Sequence, residues 1–135
     1  MTIFSRNIAV DIDEGTEGTL LVKSRMVDRF HDISVLLTVS NPGFTILDVE
    51  VEMAVAPDEG CNLVYPLAKK LVGLSIAGGF NRRVVSILAG ANGCSNVLNM
   101  VLVAAPLAIN AAQLLANGGK KGSSNYLKGT CIAHL

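Results

Sequence analysis

The stretch ISVLLTVS-NPGF-TILDVEVEMAV, residues 33–55, decides the fold. In its second half Leu47, Val49, Val51, Met53 and Val55 alternate with Asp48, Glu50 and Glu52. A period of two is the signature of a strand with one buried face and one wet face. Ile33 to Ser40 and Thr45 to Val55 therefore read as the arms of a hairpin. Asn41-Pro42-Gly43-Phe44 joins them, Pro presetting one turn dihedral and Gly supplying a positive φ.

Working backward, Thr19 to Phe30 and Asn7 to Asp13 read as two further strands, with Gly15 and Gly18 as turn material between them. Working forward, the period changes to that of a helix. Asn62 to Val72 carries Leu63, Val64, Leu67 and Leu71 at helical spacing, with Lys69 and Lys70 in its last turn and Gly73 after it. Gly79 to Leu88 is a shorter helix with Val84, Val85 and Leu88 on one side and Arg82-Arg83 outward. Cys94 to Ala116 is a long apolar helix that Pro106 should kink or divide. Strands first and helices afterwards define an α+β fold: an antiparallel sheet of three to four strands followed by three helices packed on one face. Residues 1–117 are expected to form one domain. The remainder, 118–135, opens with Gly-Gly-Lys-Lys-Gly-Ser-Ser and reads as a flexible C-terminal tail.

Composition narrows the function classes. Half of the 135 residues are apolar and 16% are charged, which suits a globular domain with a real core. Eleven basic residues balance eleven acidic ones, and Trp is absent. Phosphate binding calls for a basic surplus and base stacking for aromatics, so neither nucleic acid nor an anionic membrane is an expected partner. Cys94 to Asn117 carries no charge, but Asn96, Asn99, Asn110 and Gln113 are spread along it, and the expectation is a buried or dimer-forming helix rather than a membrane span. Three cysteines, with charges throughout Met1 to Glu14 and no apolar leader, point to a reducing cytoplasmic compartment. The cysteines are then thiols, ligands or nucleophiles.

Two Gly-Cys pairs, Gly60-Cys61 and Gly93-Cys94, stand where loop gives way to helix, and His31-Asp32 opens the hairpin. With Asn41 to Phe44 as the turn, Ser40 faces Thr45 and His31 falls opposite Ala54, at the open end of the hairpin and close to Cys61. The helix after Cys61 leads away from that end, and an antiparallel second helix leads back, so Gly90 to Gly93 delivers Cys94 to the same place. At a helix N-terminus the unpaired N–H groups and the dipole favour thiolate over thiol. Cys61, Cys94, His31 and Asp32 thus make a candidate ligand set for zinc or an iron-sulfur species, with Asp32 either a fourth ligand or the group that orients His31. Two other readings stay open. Cys61 or Cys94 is a nucleophile with His31 as base, in a thiol-based sulfur carrier or transferase; or the cysteines are small buried hydrophobes in a structural, homodimeric protein with no bound metal. Binding is favoured over catalysis, and no catalytic residue is assigned.

The remaining motifs are weaker. Cys131 and His134 lie in the tail, Arg82-Arg83 reads as a solvated helix face, and the glycines around residues 78–93 lack the Lys-Ser/Thr of a phosphate loop.

His31-Asp32-Ile33, Leu71-Val72-Gly73-Leu74-Ser75-Ile76 and Gly93-Cys94-Ser95-Asn96, in that order, resemble an uncharacterised bacterial domain-of-unknown-function family, over about Ser5 to Ala112. That family's members carry a histidine two residues after the second cysteine, where this chain has Asn96. A more distant resemblance is to IscU/NifU-type iron-sulfur cluster assembly scaffolds, whose fold is also strands then helices. It matches Asp32, Cys61 and Cys94 to the scaffold's Asp and its second and third cysteines, while Phe30 stands where the first cysteine would be. The resemblance implies a scaffold-like fold, a sulfur-transfer or iron-sulfur partner protein, and, with one thiolate missing, a mononuclear metal or a persulfide-accepting thiol.

Overall fold

The computed structural model describes residues 1–120, 128–129 and 131–134. Four strands, β1 (Asn7–Glu14), β2 (Thr19–Val27), β3 (Asp32–Ser40) and β4 (Ile46–Val55), form one antiparallel sheet in the order β1-β2-β3-β4. Each strand pairs with its sequence neighbour, so short turns suffice throughout. The β3–β4 turn contains a cis Asn41–Pro42 peptide and places Gly43 and Phe44 at positive φ.

One sheet face is apolar. Leu20, Val22 and Met26 of β2, Ile33, Val35, Leu37 and Val39 of β3, and Ile46 and Val49 of β4 are all buried there. The other face carries Asp11, Asp13, Lys23, Arg25, Asp32, Glu50 and Glu52, with Lys23 bonded to Asp13 and Arg25 to Asp32.

Two bulges correct the simple hairpin register. Val39 pairs with Ile46 but Thr38 with Asp48, and Ile33 pairs with Met53 but Asp32 with Val55. Leu47 and Ala54 are the extra residues, so the position opposite His31 shifts past Ala54 by two. The first bulge turns Leu47 outward, 47% exposed, and lets Ile46 and Val49 both face the core. Leu47→Ser is therefore expected to change stability by less than about 0.5 kcal/mol, whereas Val49→Ala costs about 1–3 kcal/mol. Urea melts of the two variants check this, and a loss at position 47 as large as that at 49 would rule the bulge out.

The helical half covers the apolar face. A 3-10 turn, Glu59–Leu63, leads into the short helix α1 (Val64–Ala68) and a second 3-10 turn, Lys69–Leu71. Lys69 anchors this segment to β4 through Asp48 and the Val49 carbonyl. Residues Gly73 to Ile76 then run beside the hairpin turn: Gly73 N–H donates to the Ile46 carbonyl, Ile46 N–H to Leu74, and Ile76 N–H to Phe44. From there α2 (Phe80–Leu88) returns, burying Phe80, Val84 and Leu88 at four-residue spacing and leaving Arg82 and Arg83 exposed.

Pro106 divides the long apolar segment as its ring requires, into α3 (Ser95–Ala104) and α4 (Leu107–Ala116). Val97, Met100, Val101 and Ala104 line the buried stripe of α3 against β2 and β3. By length and composition Ser95–Ala116 is sufficient to cross a membrane. In this fold α3 is packed into the core, while α4 buries Ala108 and leaves Leu107, Leu114 and Leu115 partly exposed. Of the tail expected over 118–135, residues 121–127, 130 and 135 lie outside the described residues.

Candidate functional site

The path of the helical half brings the two cysteines to one cleft. The chain leaves β4 at the open end of the hairpin, passes Cys61, reaches the turn end at Gly73 to Ile76, and comes back along α2. Cys61 and Cys94 accordingly line one cleft of about 430 Å³, together with Asp58, Leu63, Val64 and Leu67 on one side and Ala91 to Gly93 on the other. Both cysteines are free and half-buried.

The two Gly-Cys pairs are built differently. Asp58 caps the 3-10 turn, its carboxylate accepting from the Gly60 N–H at 2.7 Å and its carbonyl from the Cys61 N–H at 3.1 Å. Cys61 sits inside that turn, before a helix of only five residues, and so lacks the helix N-terminus expected from the sequence. Cys94 does have one: it is the residue preceding α3 in extended conformation, and its N–H donates to the Leu88 carbonyl at 2.8 Å. Gly93 makes that contact possible. A Cβ at residue 93 would lie 1.9 Å from the Leu88 carbonyl oxygen, whereas one at residue 60 would come only within 3.1 Å of the Asp58 carboxylate.

Beside the cleft lies a polar group centred on the β2–β3 turn. The Asp28 carboxylate, fully buried, accepts from the backbone N–H of Phe30 at 2.8 Å and of His31 at 2.9 Å, from His31 Nδ1 at 2.9 Å, and from Arg6 at 2.7–2.9 Å. Burial alone would push its carboxyl up. The Phe30 N–H, the His31 ring and the Arg6 guanidinium outweigh that and hold it well below the usual carboxylate range. Phe4 stacks on Phe30 with ring centroids 6.1 Å apart, so the amino-terminal segment grips this turn through both Phe4 and Arg6. With Nδ1 directed at Asp28, His31 Nε2 faces the Asn96 side-chain amide at 3.2 Å, an arrangement that suits a proton on Nδ1 and an Asn96 N–H donated to Nε2. Asn96 is on the first turn of α3, two residues beyond Cys94.

Of the four residues singled out from the sequence, Cys61 and Cys94 share the cleft and His31 stands beside it, against α3. Asp32 does not join them. It points to the wet face of the sheet, where Arg25 Nε and Nη2 bind its two carboxylate oxygens at 3.0 and 2.8 Å and lower its pKa. The alternation of a strand sends adjacent side chains to opposite faces, and that separates Asp32 from its neighbour. The residue that orients His31 is Asp28, and the sequence holds a signal for it: in Asp28-Arg29-Phe30-His31 a carboxylate three residues before the imidazole closes a turn between two strands. Among the described residues no three His, Cys, Asp or Glu side chains are gathered closely enough to hold a metal ion. Cys131 is exposed in the tail, away from the cleft's lining.

A sheet meander backed by helices, with a two-cysteine cleft at one end, defines a small α+β domain. The family model described as a protein of unknown function (DUF2889) matches residues 4–110, and the chain belongs to that family. No curated protein and no solved structure matches it.

Proposed function

We propose that this chain is a binding protein that holds a thiophilic metal species between Cys61 and Cys94. The observation that carries the reading is that two cysteines 33 positions apart line one cleft, delivered there by a helical excursion along the sheet and back. Thiolate pairs select soft and borderline metals. His31, bonded to Asp28, contacts the first turn of α3 through Asn96 and is the nitrogen donor expected from the sequence. The scaffold-like version belongs to this proposal: the bound species would be zinc or an iron-sulfur intermediate exchanged with a sulfur-transfer partner.

Elemental analysis of untagged protein tests the reading. About one thiophilic metal per chain is expected, with occupancy lost in Cys61→Ser and in Cys94→Ser. Full occupancy in both variants would end it.

A second reading draws support from the Asp28–His31 pair. A carboxylate that fixes the tautomer of an imidazole is also how a thiol nucleophile's base is positioned. In that case Cys94 alkylates quickly at neutral pH without chelator, and His31→Gln slows it. A thiol that becomes reactive only after chelation, at a rate indifferent to His31, favours metal binding.

A further inference from the structure

We infer that two copies of this chain join through the free edge of β1, antiparallel about a twofold axis at Val10, into one eight-stranded sheet. The two edges of the sheet differ in how they are covered. Along the first half of β4, Gly73 and Leu74 bond to Ile46, and Lys69 to the Val49 carbonyl. β1 bonds only to β2, in a register without a bulge, and its eight residues include neither proline nor lysine. Proline, lysine and bulges are the usual devices that keep an edge from pairing. Helix cover also stops short of this strand. α3 packs on β2 and β3, and α4 on β2. Ile8, Val10 and Ile12 of β1 face the apolar side, yet they are only half-buried. Ile12 opens onto a cleft of about 250 Å³ shared with Leu114 and Leu115 of α4, both partly exposed.

Charge and side-chain parity select a second copy as the occupant and set its register. Residues directly opposite in an antiparallel pair point to the same face of the sheet. With Val10 facing the partner's Val10, Ile8 lies opposite the partner's Ile12 and Arg6 opposite the partner's Glu14. Each contact occurs twice, as a twofold interface requires. Arg6 uses Nε and Nη2 on Asp28, and its remaining N–H groups are left for that carboxylate. On the wet face Ala9 falls opposite the partner's Asp11, and Asn7 opposite the partner's Asp13. No like charges are directly opposed, and each Asp11 keeps its own Lys23 across the sheet. The neighbouring registers are poorer. One sets Asp11 against the partner's Asp11, a like-charge pair; the other sets Arg6 against the partner's Ile12 and Glu14 against the partner's Phe4. This surface is separate from the cysteine cleft, whose lining includes no residue of β1.

Sedimentation equilibrium of the untagged full chain, under reducing conditions and at micromolar concentrations and above, tests the pairing. A reversible dimer without higher species is expected, because the twofold junction uses up the free edge. Ala9→Asp lies on the wet face, where it meets Arg25 within its own sheet but the partner's Asp11 across the junction. It creates two like-charge pairs and should weaken the dimer on the order of tenfold. Adding Asp11→Asn to Ale9→Asp removes the repulsion and should restore the parent's affinity. Circular dichroism verifies that both variants fold. A chain that stays monomeric, a dimer indifferent to Ala9→Asp, or a loss that Asp11→Asn does not recover would each overturn the pairing.

Discussion

Gly93→Ala is expected to destabilise the protein by about 3 kcal/mol, lowering its melting temperature by roughly 10 °C, and to disorganise the cysteine cleft. The added methyl would lie 1.9 Å from the carbonyl oxygen of Leu88 and 2.4 Å from its carbon. Those are backbone atoms at the end of α2, so no side-chain rotation relieves the clash. The chain must pull away from Leu88, and in doing so it breaks the Cys94 N–H hydrogen bond to that same carbonyl. Leu88 is itself fully buried, so movement there is transmitted to the core beneath α2 and α3. Cys94 would be displaced from the cleft along with the start of α3, and on the proposed metal-binding reading occupancy falls with stability. Gly60→Ala is the control. Its methyl meets only the Asp58 side chain at 3.1 Å, a contact a small adjustment relieves, and its melting temperature should stay within a few degrees of the parent's. Equal tolerance at the two positions would show that the α2–α3 connection does not pass as tightly as described.

The contrast between the two glycines also marks how far sequence reasoning reaches. Periodicity located all four strands and the helical segments, because alternation and helical spacing are properties of consecutive residues. Pro106 announced its own break. The turn Asn41 to Phe44 fixed the pairing of Ser40 with Thr45, which the structure retains in the Ser40 N–H to Thr45 carbonyl bond at 2.9 Å. What pattern could not give was the pair of bulges at Leu47 and Ala54. A bulge is settled by how a whole strand seats on the core, and Leu47 has the same character as the neighbours that stay inside.

The same limit governed the candidate site. Connectivity alone was enough to bring Cys61 and Cys94 to one end of the sheet, since an antiparallel return permits little else. Partner choice among Asp28, His31 and Asp32 was not readable in that way. Asp32 is the sequence neighbour of His31, yet strand alternation sends it to Arg25. Asp28, three residues away, reaches the ring because the turn folds back on itself, with the Asp28 N–H donating to the His31 carbonyl at 3.0 Å. Likewise, the identical Gly-Cys dipeptides differ because one glycine crosses a neighbouring helix end and the other sits within a local turn that Asp58 caps. Such differences reside in tertiary contacts, which no window of sequence contains.

Asp28→Asn is expected to lower the melting temperature at pH 7 by on the order of 10 °C, and to do so in a way that depends on pH. The parent carboxylate satisfies two backbone N–H groups, the His31 ring and Arg6 while carrying the charge that balances the guanidinium. Asparagine keeps one acceptor oxygen but replaces the other with a donor, which then confronts Arg6. In the folded chain the Asp28 carboxyl is held well below the usual range, whereas an unfolded aspartate titrates near pH 4. Its contribution to stability is therefore fully present above about pH 4 and diminishes as the pH falls toward the depressed folded value. Below that onset the parent loses what the variant never had, and the two melting curves should draw together. Arg6→Gln should reproduce part of the neutral-pH loss, because it removes the same pairing from the other side. Melts of parent and variants from pH 7 to pH 3 decide the matter. A gap between parent and Asp28→Asn that stays constant over that interval would mean that the buried carboxylate is not the charge holding the β2–β3 turn, and that His31 owes its orientation to packing instead.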